Sequence, residues 1–462
     1  MVIDMGQRLR PIIRELDYRQ TEEDLDRREQ ETITLIESGS YDFSSYSKRT
    51  FTRNGKRRDI YSFDTLSTEN ILCHYLKKEI DKAFHVKYAS RSKIMKMFFN
   101  TLPAVKDMND FVIIRADFRN FFNSILTGHV FNEYLKESSL RRADKYVLEK
   151  YVEVFQFCYA GLCLSNEMAE IVCRDFDRLI KAKLEQFGVF FYERYVDDML
   201  IMLKSYVDKD VFLRIFNDVV KEVFGQCPVE LSMDPGKFSY ITCRDLQKSA
   251  SPNADAIETI SFLGYEFYIH CDNDNKIYFN YGISQKKRDR YEHKIEAAFI
   301  DYRKNGDIEL FRQRLKIFSA RVVIPRSLGN KRIEWLTNGI TSNYDELRYH
   351  LEDIETDTLT YLQEVYKVLF DKYKIAKPYF MKGTMGEESI YNLYSNLKRN
   401  RSVIFDKKIG VRRDDLVNWI RKLEPAYTAD NKRYYQIVME YLEMLEVKTS
   451  TISEEMVLSE TV

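Results

Sequence analysis

The chain has 462 residues and carries 72 Lys and Arg against 72 Asp and Glu, so no net charge supplies a global field to hold a polyanion. Its 16 Gly and 8 Pro favour long helices over turn-rich β structure, and its length admits two or three domains. Seven Cys, an odd number with no Cys-x-x-Cys, argue against a disulfide or zinc framework and for free thiols in a reducing cytoplasm. No apolar run reaches the roughly 18 residues of a membrane span, and the N-terminus lacks the apolar core of a signal peptide.

Residues 1–36 read as charged helix, with Glu22-Glu23-Asp24 ahead of Arg27-Arg28. The Ser-rich stretch 37–50, which carries Tyr41 and Tyr46, reads as a loop. A basic stretch, Lys87-Tyr88-Ala89-Ser90-Arg91-Ser92-Lys93, follows further helix. Here Arg91 could grip a phosphate through two donors and Lys93 could act as a point charge. The apolar run from Phe111 ends at Asp117, which places a carboxylate at the C-terminal end of a strand, where ligands gather in α/β folds.

Gly161 then permits close backbone approach by a ligand. Ser165 is suited to cap a helix of about six turns running from near Asn166 to Phe187, with Met168, Ile171, Val172, Phe176 and Leu179 on one face and Gly188 as the stop. Next, Tyr195-Val196-Asp197-Asp198 lies between the apolar runs Val189–Tyr192 and Met199–Leu203, the pattern of a β-hairpin with two adjacent carboxylates at its tip. Most Asp-Asp pairs are solvated turns. A strand-end Asp beside a hairpin-tip pair could instead hold two divalent cations, about 3.5–4 Å apart, which stabilise the attacking and leaving oxygens of a phosphoryl displacement.

Asp234-Pro235-Gly236-Lys237 and Phe262-Leu263-Gly264-Tyr265 are two further turns. Residues 286–332 hold 14 Lys and Arg against 6 Asp and Glu, a local basic surface in a neutral chain. Beyond about residue 285 the strand signals stop. Helical stripes take over at Leu362, Val365, Tyr366 and Leu369, at Leu416, Ile420 and Leu423, and at Tyr434, Ile437, Val438, Tyr441 and Leu445. The acidic end, 440–462, is expected to fray.

In this order the motifs resemble the palm of a reverse transcriptase over residues 70–285. Asp117 with Phe121-Phe122 is similar to motif A, Gly161–Ile171 to motif B, Tyr195–Asp198 to the Tyr-x-Asp-Asp box, Asp234–Lys237 to motif D and Phe262–Tyr265 to the primer grip. The fold class expected is therefore α+β. A reverse-transcriptase-like domain (N-terminal helices, fingers and palm) spans 1–285, and an all-helical, HEAT-like domain in the thumb position spans 286–462. With no RNase H or His-Asn-His constellation and a helical C-terminal part, the chain resembles the abortive-infection reverse transcriptases of bacteria, a family associated with phage defence.

The resemblance implies two Mg²⁺ ions (Mn²⁺ as a substitute) held by Asp117, Asp197, Asp198 and the backbone carbonyl of Phe118, with Asp198 the lesser partner. It implies dNTP contacts from Arg91, Lys93, Gly161 and Lys237, and a steric gate at Phe122 that rejects a ribose 2′-OH. Lys237 would protonate the leaving pyrophosphate. Ala160 stands where the family's motif B usually has Gln, and its side chain cannot hydrogen-bond, which puts templated selection in doubt. The family makes DNA untemplated from a protein tyrosine. It thereby implies a covalently attached single-stranded DNA product and a homo-oligomer, with Tyr41 and Tyr46 as candidate priming residues. The rival readings are a templated enzyme of retron or diversity-generating type and a polymerase-derived nucleic-acid-binding scaffold.

Overall fold

The computed structural model describes residues 2–447 except 18, 54–55, 250–255, 273, 275, 328–332 and 382–389. The acidic end beyond residue 447 lies outside the described residues. In chain order the elements are α1 (Val2–Leu16), α2 (Glu22–Glu37), β1 (Ser47–Arg53), β2 (Lys56–Ser62), α3 (Thr68–Phe84), α4 (Arg91–Val105), β3 (Val112–Asp117), α5 (Thr127–Val130), α6 (Arg142–Val154), α7 (Cys163–Leu184), β4 (Val189–Tyr195), β5 (Asp198–Leu203), α8 (Lys209–Phe224), β6 (Ser239–Thr242) and α9 (Cys243–Lys248). They continue with β7 (Glu258–Phe262), β8 (Tyr265–Cys271), β9 (Ile277–Ile283), α10 (Gln285–Asn305), α11 (Ile308–Ser319), β10 (Arg321–Ser327), β11 (Ile333–Asn338), α12 (Ile340–Asn343), α13 (Thr356–Tyr373), α14 (Leu393–Lys398), β12 (Ser402–Ile404), α15 (Arg413–Arg421) and α16 (Tyr434–Met444). The fold is mixed α+β.

Two compact units share the chain. The first takes Met1–Ser90 and Asp110–Cys243, and the second takes Arg91–Asn109 with the chain from Arg244 onward. This division differs from the expected boundary at 285, because α4 and the β7–β9 meander pack with the C-terminal elements: Phe98 and Phe99 of α4 stack against Phe262, Tyr265, Phe267 and Tyr281.

The first unit is organised on an antiparallel sheet in the order β4-β5-β3-β6. All six residues of β3 are buried, which explains its nearly unbroken apolar run. Helix α7 buries Met168, Ile171, Val172, Phe176, Ile180 and Leu184 at helical spacing. It meets α8 and the sheet through the rings of Phe118, Phe176, Phe216 and Phe224, whose centroids lie 5.2–5.9 Å apart. Helix α7 starts at Cys163, three residues before the expected start. Ser165 does not cap it: its hydroxyl is buried and donates to the carbonyl of Tyr159 at 2.7 Å. The stop is as expected, with Gly188 left-handed at φ 70° after one tight turn.

The second unit corrects the all-helical expectation. Besides the β7-β8-β9 meander it holds a three-stranded sheet in the order β11-β10-β12, with β10 and β12 parallel. The β-branched run Val322-Val323-Ile324 forms the buried centre of that sheet. Because β12 is only three residues long, it is too short to show a period in sequence. The helical stripes do form. Leu362, Val365, Tyr366 and Leu369 are buried on α13, and Ile437, Val438 and Tyr441 on α16. Within the basic stretch after residue 285, Arg288 and Arg314 are buried. They bond Thr358 and the Leu445 carbonyl, so these two cations serve packing rather than a surface field. Among the described residues no helix is long and apolar enough to cross a membrane.

Candidate functional site

The carboxylates meet in the first unit because of strand register. Asp117 ends β3 directly opposite Asp198, the first residue of β5. Tyr195 pairs with Asp198, so Val196 and Asp197 alone form the hairpin turn. Val196 sits at φ 58°, a left-handed conformation that a β-branched residue rarely takes and that costs about 1–3 kcal/mol. Two contacts hold the turn there. The Phe118 amide donates to the Asp197 carbonyl at 3.2 Å, and Arg194 donates to the Val196 carbonyl at 2.7 Å. Arg194 is itself buried and forks onto Glu170 and Asp177 of α7 at 2.8–3.0 Å, while the Tyr192 hydroxyl donates to Asp177 at 2.7 Å. The hairpin tip is thus clamped to the central helix.

Around the three aspartates stand two cations. The Lys237 ammonium contacts Asp117, and the turn carrying it is closed by a 3.0 Å bond from the Lys237 amide to the Asp234 carbonyl. Arg115 donates to both oxygens of Asp198, at 3.0 and 3.1 Å, and to the Gly236 carbonyl at 2.6 Å. Burial pushes the Asp117 carboxyl up despite the Lys237 charge. Burial first, and then the charge of Asp117, push the Asp197 carboxyl up to about 7. Two desolvated carboxylates, one of them raised further by the charge of the other, are the condition a hard divalent cation relieves.

The donor set therefore fits such an ion on Asp117 and Asp197. Antiparallel bridging to Leu231 uses the Asp117 carbonyl and the Arg119 amide, so the polar groups of Phe118 turn to the opposite edge, toward Asp197. Among the described residues no three His, Cys, Asp or Glu side chains gather as a ready metal cage. Asp198, expected as a third ligand, has its carboxylate turned into Arg115.

Phe121 is buried and stacks on Phe118 at 5.3 Å, whereas Phe122 beside it is only half-buried and is the more accessible of the two rings. Gly161 departs from expectation. At φ 99° it is approached by the chain itself: a Cβ there would lie 2.3 Å from the Tyr61 carbonyl and 2.6 Å from Ile60. The Tyr61 amide donates to the Ala160 carbonyl at 2.9 Å, so β2 occupies the space expected for a ligand.

Arg91 also departs from its expected phosphate contact. It is buried in the second unit, where its guanidinium donates to the carbonyls of Leu263 and Asn343 and lies over Tyr265 and Tyr344. Lys93 is exposed on α4 of the same unit, which also holds the Phe262–Tyr265 turn, expected as a primer grip, where Leu263 and Gly264 both take positive φ. Tyr41 and Tyr46 are not on a free segment. Tyr41 packs on Phe43 at 5.7 Å, and Tyr46 packs on Tyr61 and Phe155 at 5.4 and 5.2 Å.

Four residues of this network escaped sequence reasoning: Arg115, Arg194, Glu170 and Asp177. Their signals were present. Arg115 is the lone cation in an apolar run and shares a strand face with Asp117, and Glu170 and Asp177 stand seven apart on one helix face. A scan against protein-family models and a search of curated proteins both return no match.

Proposed function

We propose that this chain is a Mg²⁺-dependent DNA polymerase of reverse-transcriptase type, similar to the abortive-infection enzymes of bacteria. In this reading it extends DNA without a template from one of its own tyrosines. The observation that carries the reading is the convergence of Asp117 and Asp197, two carboxylates with raised proton affinity at the junction of β3 and a hairpin tip. Bound divalent cations would lower the pKa of an attacking hydroxyl and neutralise charge developing on a triphosphate. The chain's own part is positioning. Asp117 and Asp197 supply the anionic seat, and Arg194 fixes the hairpin that carries Asp197. Lys237 stands beside Asp117 with a proton to give to a leaving oxygen, and Phe122, five residues after Asp117 and half-buried, is the ring that would meet a ribose. The Ala160 carbonyl bonds Tyr61, and Ala160 brings no side-chain donor to a template, which supports untemplated synthesis.

The test is incubation of the purified full chain with Mg²⁺ and dNTPs and no added nucleic acid. DNA covalently attached to protein is expected, and mass spectrometry of the nuclease-trimmed peptide locates the tyrosine. Faithful copying of an added template–primer, with no protein-linked DNA, would overturn the untemplated reading. Phe122→Ala is expected to reduce discrimination against ribonucleotides by about 10- to 100-fold, because a removed ring no longer excludes the 2′-OH. The ratio of dNTP to rNTP incorporation measures it, and an unchanged ratio would remove Phe122 as the gate.

A further inference from the structure

We infer that Arg115 is a positioning residue that holds Asp198 out of the cation-binding set and pins the Lys237 turn beside Asp117. The inference rests on the polymerase reading of the same site. Arg115 lies two residues before Asp117 on β3 and hence on the same face. Asp198 stands directly opposite Asp117, which makes Arg115 its diagonal neighbour across the ladder, within reach of a long side chain.

All three guanidinium nitrogens are in use. Nε and Nη2 take one Asp198 oxygen each, at 3.0 and 3.1 Å, and Nη1 takes the Gly236 carbonyl at 2.6 Å. The planar fork matches a carboxylate edge-on, and Arg115 is only 8% exposed, so water competes weakly for the pair. The two adjacent aspartates of the hairpin thereby receive different duties. Asp198 is paired in place and becomes a strut, and Asp197 is left to a cation.

The third contact extends the strut. Gly236 is the residue before Lys237, and its turn closes on Asp234. By holding the Gly236 carbonyl, Arg115 sets where the Lys237 ammonium stands, and that place is on Asp117. One arginine thus ties the second aspartate of the hairpin to the turn that carries Lys237. A lysine at position 115 would keep the charge but offer a point contact in place of the fork, leaving an Asp198 oxygen free.

The experiment measures Mn²⁺ affinity of the full chain by electron paramagnetic resonance, without nucleotide. Asp197→Asn is expected to weaken binding by about 10-fold or more, while Asp198→Asn, which keeps an oxygen for Arg115, changes it by less than about threefold. In an Arg115→Lys background the released Asp198 carboxylate joins the ligands, so adding Asp198→Asn there costs about 10-fold. A loss for Asp198→Asn alone as large as that for Asp197→Asn overturns the inference while leaving the polymerase reading in place. Absence of any Mn²⁺ binding by the unaltered chain overturns the polymerase reading and the inference with it.

Discussion

Asp197→Asn is expected to lower DNA synthesis by at least about a thousandfold, equivalent to roughly 4 kcal/mol of transition-state stabilisation. The amide keeps the size of the side chain and the hairpin bonds that run through the Asp197 backbone, but it removes the negative charge that would seat a cation. A pH signature separates this effect from misfolding. In the folded chain the Asp197 carboxyl is held up to about 7, whereas an unfolded chain releases that proton near the ordinary value of 3.8. Between those values the folded state holds a proton that the unfolded state has lost, so stability without metal falls as pH rises through that window. Asp197→Asn should flatten that fall, and thermal unfolding from pH 4 to 8 in a chelator measures it. Synthesis retained at more than about a tenth of the original rate would remove Asp197 from the site.

Gly161→Ala is the second large effect, and it acts through the fold. The residue must sit at φ 99°, and its new Cβ would meet the Tyr61 carbonyl at 2.3 Å, a backbone atom that cannot rotate away. Either β2 lifts from the Ala160–Gly161 loop or the loop changes conformation, at a cost of about 2–4 kcal/mol from strain and overpacking. Gly236→Ala provides the control. Its φ is also positive, at 81°, but nothing lies within 4 Å of the added atom, so it carries only the conformational cost of about 1–2 kcal/mol. Hydrogen exchange at the Tyr61 amide, which donates to Ala160, reads the difference directly. Faster exchange is expected in Gly161→Ala and unchanged exchange in Gly236→Ala. Equal protection in both would mean the hairpin does not depend on this glycine.

How much was legible follows from the range of each interaction. Sequence by itself determined β3 ending at Asp117, the hairpin at Tyr195–Asp198 and the length and stop of α7, because apolar period and turn chemistry are local; it set Asp197 and Asp198 together at the tip, whereas Asp198 is already the first residue of β5. The short β10–β12 sheet was hidden, since a three-residue strand has no period and its partner lies about 80 residues away. Arg91 was misplaced for a related reason: a basic stretch looks alike whether its guanidinium meets a phosphate or, as here, the carbonyls of Leu263 and Asn343.

Only the tertiary structure decided what each charged group does. The sequence offered three aspartates as ligands, and only the resemblance ranked Asp198 as the lesser. Pairing of β3 with β5 set Arg115 diagonally across from Asp198, the fork of Arg194 bound the hairpin to α7, and the Asp234–Lys237 turn brought an ammonium to Asp117. It likewise turned Gly161 from a place for a ligand into the seat of β2. Local pattern names the elements and the residue types at their ends. Partner choice among charges is a long-range matter, settled only when strand register and buried arginines fix which carboxylate meets a guanidinium and which does not.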